Sequence, residues 1–226
     1  MNKIEWHDLF RYYEDRAPEY DDIYTGKYPG ISQPEIYAKD VAAITSICGG
    51  HGHGHLIDIG CGTGFWLPYY ANNCEEITLI DQSGKMLERC SERVAHLGHP
   101  IKVNYVRGDF FQLNLNPEAF DSAVVAFLIS HLNEEQEIAF FEKLKGLLKS
   151  KAQVLWIDGA WSDIRSQSRE KEGIQSRRLR DGREYRIFKR YFTDADVSRI
   201  LSAHAFDPLR IYVGDVFFAV RAGLSD

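Results

Sequence analysis

No stretch of the 226-residue chain holds the roughly 18 uninterrupted apolar residues that a membrane-spanning helix needs. Its opening, MNKIEWHDLFRYYEDR, carries acids and lacks the apolar centre of a secretion signal, so the expected location is the cytoplasm. Cysteine is scarce: Cys48, Cys61, Cys74 and Cys90 lie 13, 13 and 16 residues apart with no CxxC pair. That spacing fits neither a zinc site nor a disulfide scaffold and predicts reduced, mostly buried thiols. Basic residues are outnumbered, 27 Lys and Arg against 33 Asp and Glu, and the net charge of -6 disfavours a general nucleic-acid binder. There is no GKS or GKT phosphate loop, no G-x-S-x-G elbow and no NPPY-like adenine-flipping segment. Nucleotide hydrolysis and esterase chemistry therefore lack their central residues.

What is present describes a packed domain. Hydrophobic residues make up 44%, aromatics 13% and charged residues 27%, a balance that excludes disorder as the main reading. Residues 1–226 read as a single domain, since domains mostly span roughly 50 to 250 residues. The charge is uneven: residues 165–190 hold ten Lys or Arg against four acids, so this segment is +6 and the remainder -12.

Short apolar runs at 55–60, 76–81, 101–108, 121–129 and 152–158 alternate with amphipathic stretches, which predicts five parallel strands joined by crossover helices. Met86, Leu87, Cys90, Val94 and Leu97 recur at helical spacing, with Gly98 as the predicted stop. Asn133 caps a predicted helix whose Ile138, Phe141, Leu144, Leu147 and Leu148 face inward. Residues 159–192 form an insertion with a two-residue hairpin turn expected at Asp181-Gly182. Thr193 with Asp196 resembles a capping box, and LRIYVGDVFFAVRAG reads as two final strands meeting at Gly214-Asp215. The fold class is thus α/β: a Rossmann-like, seven-stranded, mostly parallel sheet with an N-terminal helical cover over 1–48 and a hairpin insertion after the fifth strand.

The sharpest feature is LIDIGCGTG at 56–64, an apolar strand ending in an acid and opening into Gly60, Gly62 and Gly64. Glycines there let the backbone turn tightly against a ligand whose polar end meets free amides. The spacing is G-x-G-x-G, not the dinucleotide G-x-G-x-x-G, and a second acid, Asp81, ends the next strand. Two acids at successive strand ends favour a nucleoside without phosphates, since Asp58 would repel a phosphate and attract an ammonium.

LIDIGCGTG, followed by LIDQSGKML, VRGDFF and FDSAVVAFLISHL, resembles the class I S-adenosylmethionine-dependent methyltransferases, in particular bacterial small-molecule enzymes. The resemblance covers about residues 8–158, and YYEDRAPEYDDIY is similar to the helical cover of that group. It implies S-adenosyl-L-methionine as cofactor, S-adenosyl-L-homocysteine as product, and methyl transfer to an O, N or C atom of a small metabolite. It implies that Asp58, Gly60, Cys61, Gly62 and Gly64 surround the methionine part of the cofactor. Asp81 would grip the ribose with Gln82 and Met86 beside the adenine, and Asp109 and Phe110 would meet the adenine edge. Phe127 would turn its carbonyl to the ammonium, while Tyr20 and Arg16 close over the carboxylate.

His131, just past the fourth strand, lies where such sheets place ligands; it either acts as general base or packs at the next helix. Tyr13, Tyr24 and Trp161 are candidate substrate walls. Arg178 and Arg186, with Arg177 and Arg183, offer guanidinium forks to a carboxylate or phosphate, or else line a solvated hairpin face. His51, His53 and His55 lack carboxylate or cysteine partners nearby, so a flexible loop is expected there and no metal site. Three rivals stand beside the small-molecule reading: an RNA or protein methyltransferase docking through residues 165–190, an NAD-binding oxidoreductase, and a non-enzymatic nucleoside-binding module. Oligomeric state is not encoded in any of these features.

Overall fold

Near-continuous apolar runs, buried on both faces of the sheet, shape the centre of the molecule. The computed structural model describes residues 3–28 and 31–225, with side chains described from residue 8 onward. Helix α1 (Lys3–Arg16), a 3-10 helix (Ala17–Ile23) and α2 (Pro34–Cys48) form the cover. The five apolar runs become parallel strands β1 (His55–Ile59), β2 (Glu76–Asp81), β3 (Lys102–Arg107), β4 (Phe120–Ala126) and β5 (Leu148–Gly159). Between them run α3 (Leu67–Tyr70), α4 (Gly84–Ala95) and α5 (Glu134–Leu147). After a single turn, α6 (Asp163–Ser166), strands β6 (Glu172–Arg178) and β7 (Glu184–Arg190) pair as a separate two-stranded sheet. Helix α7 (Asp194–Ala203) then leads into antiparallel β8 (Phe206–Val213) and β9 (Phe217–Leu224). The seven-stranded order is β3-β2-β1-β4-β5-β9-β8.

Ile57, Val125, Val154 and Trp156 pack on one face against Phe140, Phe141 and Leu144 of α5 and Ile200 of α7. Leu56, Val124, Leu155 and Ile157 pack on the other against Ile44 and Ile47 of α2 and Leu67 and Tyr70 of α3. Each fully buried side chain of this size contributes about 1.5–3 kcal/mol, so the two layers fix the sheet on which the site is built. Chain order reverses between β1 and β4, and a ligand crevice opens at the carboxyl ends on either side of such a reversal.

Four local expectations need correction. Helix α4 stops at Ala95 with His96 as its cap, and Gly98 is not in the left-handed conformation. Ile138 on α5 is exposed, while Phe140, outside the expected stripe, is buried. The hairpin turn is longer than two residues: Leu179 and Arg183 close it, and Gly182, at φ +90°, donates its amide to the Leu179 carbonyl at 3.0 Å. Residues 49–55 are pinned and not a loose loop, with buried His51 bonded through Nε2 to the Ala123 carbonyl at 2.9 Å and its pKa pushed down to about 3 by burial.

The α5 start is a full capping box, in which Asn133 Oδ1 accepts from the Gln136 amide at 2.9 Å and Gln136 Oε1 from the Asn133 amide at 3.0 Å. Asn133→Ala is expected to cost about 1 kcal/mol, lowering Tm by roughly 2–4 °C in a chain of this size. A thermal melt followed by circular dichroism checks this, and an unchanged Tm would show that the box is not stabilising.

Candidate active site

The glycine loop is built by its backbone. Gly60, Gly62 and Gly64 sit at φ +72°, +55° and +71°, conformations that side chains resist. The Gly60 and Cys61 amides donate to the Ile80 carbonyl at 2.8 and 2.9 Å, tying the loop to the end of β2. Asp81 completes the tie: Oδ2 accepts from the Gly62 amide at 2.9 Å and Oδ1 from the Ser83 amide at 2.8 Å. A Cβ at Gly64 would lie 2.7 Å from Cys90 Sγ, so glycine there lets the loop rest on α4. A Cβ at Gly62 would come within 3.6 Å of Tyr20, so glycine there keeps open the space between loop and cover.

A cleft follows from this arrangement. It is lined by Gly60, Gly62, Asp81, Gln82, Met86, Asp109, Phe110 and Phe127, with Tyr13 and Tyr20 of the cover above. Burial pushes the Asp81 carboxyl up to about 6 against the pull of the Ser83 and Gly62 amides. Each of its oxygens takes one backbone amide and keeps a second lone pair for a further donor. Asp109 is fixed by the Phe111 amide at 3.0 Å. Phe127 has a left-handed φ of +56°, a strained state costing about 1–3 kcal/mol in a bulky residue, at the strand end where the cleft begins.

Other expected cleft residues lie elsewhere. Asp58, Cys61 and Gly64 are buried and do not line the cleft. Asp58 is wholly buried below the loop, with Oδ2 accepting from the Tyr70 hydroxyl at 2.5 Å and Oδ1 lacking a partner; burial pushes its carboxyl up to about 7. Arg16 lines a neighbouring cavity and not the cleft.

That neighbouring cavity, about 410 Å³, lies between the cover and the β6–β7 hairpin. It shares Tyr13, Tyr20, Phe127 and His131 with the cleft, and Tyr24 forms part of its wall. His131 stands at the junction. Its Nδ1 lies 2.7 Å from the Phe188 carbonyl, which can only accept, so Nδ1 carries the proton. Nε2 is then the acceptor and takes a hydrogen bond from the Tyr13 hydroxyl at 2.6 Å. Burial, then the nearby Lys189 charge, holds the imidazole well below the ordinary histidine range, and the ring is neutral at pH 7.

Of the remaining wall candidates, Trp161 lies outside the lining, its ring stacked on Tyr191 at 6.2 Å. Arg178 and Arg186 face away from the cavity: Arg178 is exposed opposite Glu184, and Arg186 is exposed opposite Ser176. The residues that do turn inward are Arg177, Ile187, Lys189 and Tyr191, joined by Arg165 and Arg169. Strand parity carried that signal. Arg177 and Lys189 share one face with Ile187, whereas Arg178 and Arg186 share the other.

Comparison with known proteins agrees with this geometry. Residues 56–151, the glycine loop through β5's first residues, match the family described as methyltransferase domain. That segment, less than half of the chain, carries a methyltransferase domain. This methyltransferase is 35% identical over 86 residues to a phosphatidylethanolamine N-methyltransferase of Cereibacter sphaeroides, a match covering 38% of this chain and 41% of that protein. It is 23% identical over 207 residues to an uncharacterized methyltransferase of Geobacillus thermodenitrificans, covering 89% of each. Among solved structures, the DhpI-SAM-HEP complex superposes with a TM-score of 0.78 at 21% identity, covering 98% of this chain and 99% of that one.

S-adenosylmethionine is the cofactor, and the cleft residues offer groups that fit it. Asp81 has carboxylate lone pairs that a ribose diol could use, Gln82, Met86 and Phe110 would flank a purine, and the gap over Gly62 would take the amino-acid end. Asp81 must be ionised to accept from both hydroxyls. Affinity for S-adenosylhomocysteine is therefore expected to fall as pH drops through about 6. Asp81→Asn should weaken binding about tenfold or more, the usual worth of a charge-assisted pair, and flatten that pH dependence. Calorimetry across this range decides it; an Asp81→Asn variant that keeps the wild-type profile would remove Asp81 from the cofactor site.

Proposed function

We propose that the protein transfers the methyl group of S-adenosylmethionine to an O, N or C atom of a small, anionic metabolite seated in the larger cavity. The observation that carries this reading is the shared wall: Tyr13, Tyr20, Phe127 and His131 border both the cofactor cleft and the second cavity. The cavity's 410 Å³ lies within the roughly 300–1,000 Å³ range of small-molecule sites.

When bound, the cofactor supplies an activated methyl on a cationic sulfur, so the protein need only align a nucleophile, exclude water and manage a proton. The wall does this with aromatic faces, which favour a cation without competing for the methyl. Tyr13, Tyr20 and Tyr24 form a run of edge-to-face rings, with 5.9 Å between Tyr13 and Tyr20 and 5.8 Å between Tyr20 and Tyr24. Tyr13 also stands 5.4 Å from the His131 ring at near-perpendicular orientation. Its hydroxyl proton is directed at His131, which leaves the phenol oxygen's lone pairs facing the cavity. A hydroxyl or amine acceptor would donate there, and its proton would pass to Tyr13 while the Tyr13 proton passes to Nε2.

Incubating the protein with trideuteromethyl-labelled S-adenosylmethionine and a small-molecule extract should place the label in a low-mass anionic product. Label confined to RNA or protein would overturn the reading. Once an acceptor is in hand, His131→Ala and Tyr13→Phe should each reduce kcat by about 10²-fold, the lower end of general acid–base contributions. S-adenosylhomocysteine affinity should stay within about threefold, well under one tenfold step of 1.4 kcal/mol. Equal losses in turnover and cofactor affinity would take His131 out of the proton path.

A further inference from the structure

The basic segment divides by direction. On its outward side the cations meet acids: Arg180 pairs with Asp22 at 2.6 Å, Arg183 with Asp15 at 2.6 Å and Asp181 at 2.7 Å, and Lys171 with Asp196 at 2.8 Å. On its inward side they do not. Arg165, Arg169, Arg177 and Lys189 line the large cavity together with Arg16 of the cover, and no Asp or Glu is among the described lining residues. Lys189 alone has a carboxylate behind it, Asp158 at 3.2 Å. Arg177 contacts only neutral groups, Gln175 Oε1 at 2.8 Å and the Tyr191 hydroxyl at 3.1 Å. Arg165 donates to the Ala160 carbonyl at 2.7 Å and to the Val216 carbonyl, and lies over the Tyr191 ring at 4.3 Å.

Arg16 is the most telling of these. It is 8% exposed, its Nε is buried without a hydrogen-bond partner, and its guanidinium meets the faces of Tyr12, Tyr20 and Tyr28 at 5.4, 4.9 and 5.2 Å. The Tyr12 hydroxyl, also on the cavity wall, is likewise buried without a partner. Ring faces offset part of the cost of burying a guanidinium, but give its N–H groups nothing to bond. A cation kept out of water without a counter-charge is costly unless a ligand completes it.

We propose that these side chains form a binding site for a multiply charged oxyanion on the methyl acceptor, with Arg16 and Arg177 as its principal ligands. Five cations against one carboxylate leave four positive charges uncompensated at the wall. One carboxylate would leave most of that surplus in place; a phosphonate, a phosphate monoester or a pair of carboxylates matches it better, and planar guanidinium forks suit all three. Four of the cations, Arg165, Arg177, Lys189 and Arg169, also converge on the Tyr191 phenol, lowering its pKa despite burial. Arg16 thus serves the acceptor and not the carboxylate of the cofactor. A consequence reaches His131: the cations that hold its imidazole down, after burial itself, are Lys189, Arg177 and Arg16, and the bound oxyanion would neutralise that field.

This inference rests on the methyl-transfer reading, and one calorimetric series separates the two. The protein, saturated with S-adenosylhomocysteine at pH about 8, is titrated with phenylphosphonate, its singly charged isostere benzenesulfonate, and the dicarboxylate homophthalate. One of the two dianions should bind about tenfold or more tightly than benzenesulfonate, the yield of one additional charge-assisted pair. Preference for phenylphosphonate assigns a single tetrahedral group, and preference for homophthalate assigns paired carboxylates. Arg16→Gln and Arg177→Gln should each erase that advantage with cofactor affinity kept, which also shows that the variants fold, while Arg210→Gln on exposed β8 should change nothing. Equal binding of dianions and benzenesulfonate, or an undiminished advantage in both cavity variants, would overturn the oxyanion site and leave methyl transfer standing. Failure of S-adenosylhomocysteine to bind would instead defeat the methyl-transfer reading, and the same titration without it would then judge the oxyanion site alone.

Discussion

One histidine joins the three parts of the molecule that make the site. Its backbone belongs to the turn after β4, its Nδ1 proton goes to the Phe188 carbonyl on the hairpin, and its Nε2 accepts from Tyr13 on the cover. The chain separations are 57 and 118 residues, so neither contact is local. With both ring nitrogens engaged and the side chain fully buried, imidazolium would lose a bond and gain an uncompensated charge. A neutral ring in a single tautomer is the stable state. The stability this lends is present above the ordinary histidine pKa and is lost as pH falls below it, since only the unfolded chain takes up the proton there. Asp58 and Asp81 act in the opposite sense. Their folded pKa values, about 7 and 6, lie above the ordinary carboxylate value, so their ionisation costs stability above that range and protonation relieves it as pH falls. Around neutrality the sheet end therefore carries buried carboxylates and a buried neutral base at a cost in stability, a pattern concentrated at functional sites.

The cover and the hairpin hold each other in place around this histidine. Leu9 and Tyr12 of α1 pack with Leu179 and Ile187 of the hairpin, and the Tyr185 hydroxyl donates to Asp15 at 2.6 Å. The ion pairs at the rim are partly exposed and worth about 0–1 kcal/mol each, so they set register more than strength. The apolar contact contributes the larger share. Since each element completes the other's buried face, displacing the hairpin would break the Phe188 bond of His131 and loosen Tyr13 with it.

The cleft beside the glycine loop was legible in the chain because its signals are local. Gly60, Gly62, Asp81 and Asp109 fall within a residue or two of strand ends, and alternating apolar runs locate those ends without knowledge of tertiary contacts. Asn133 and Thr193 were legible for the same reason, since a capping box is complete within four residues. Position near a strand end did not reveal depth, however: Asp58 pairs with Leu79, two residues short of Asp81, so Asp58 lies buried within the sheet while Asp81 reaches the cleft. On the hairpin the composition pointed to the right segment but to the wrong face. Arg178 and Arg186 differ from Arg177 and Ile187 by one residue, and one residue reverses direction along a strand. Gly98 failed as a helix stop because α4 had already ended at Ala95, where the His96 amide closes onto the carbonyls of Arg93 and Val94.

The family match ends at residue 151, whereas the large cavity is walled mainly by residues before 38 and after 158, with Phe127 and His131 as the exceptions. The two segments that build it are therefore those the family signature does not constrain. A sheet that only has to present Asp81, Asp109 and the glycine loop can keep its geometry while cover and hairpin change, because those carboxylates are held by backbone amides at the strand ends. The large cavity is lined by side chains of opposite origin, Arg16 from one end of the chain and Arg177 and Lys189 from the other. Selectivity in such an arrangement would follow from charge placed on the cover and hairpin above the sheet. The penalty for admitting a neutral molecule is already built in, since it would leave the same guanidinium groups buried and unanswered.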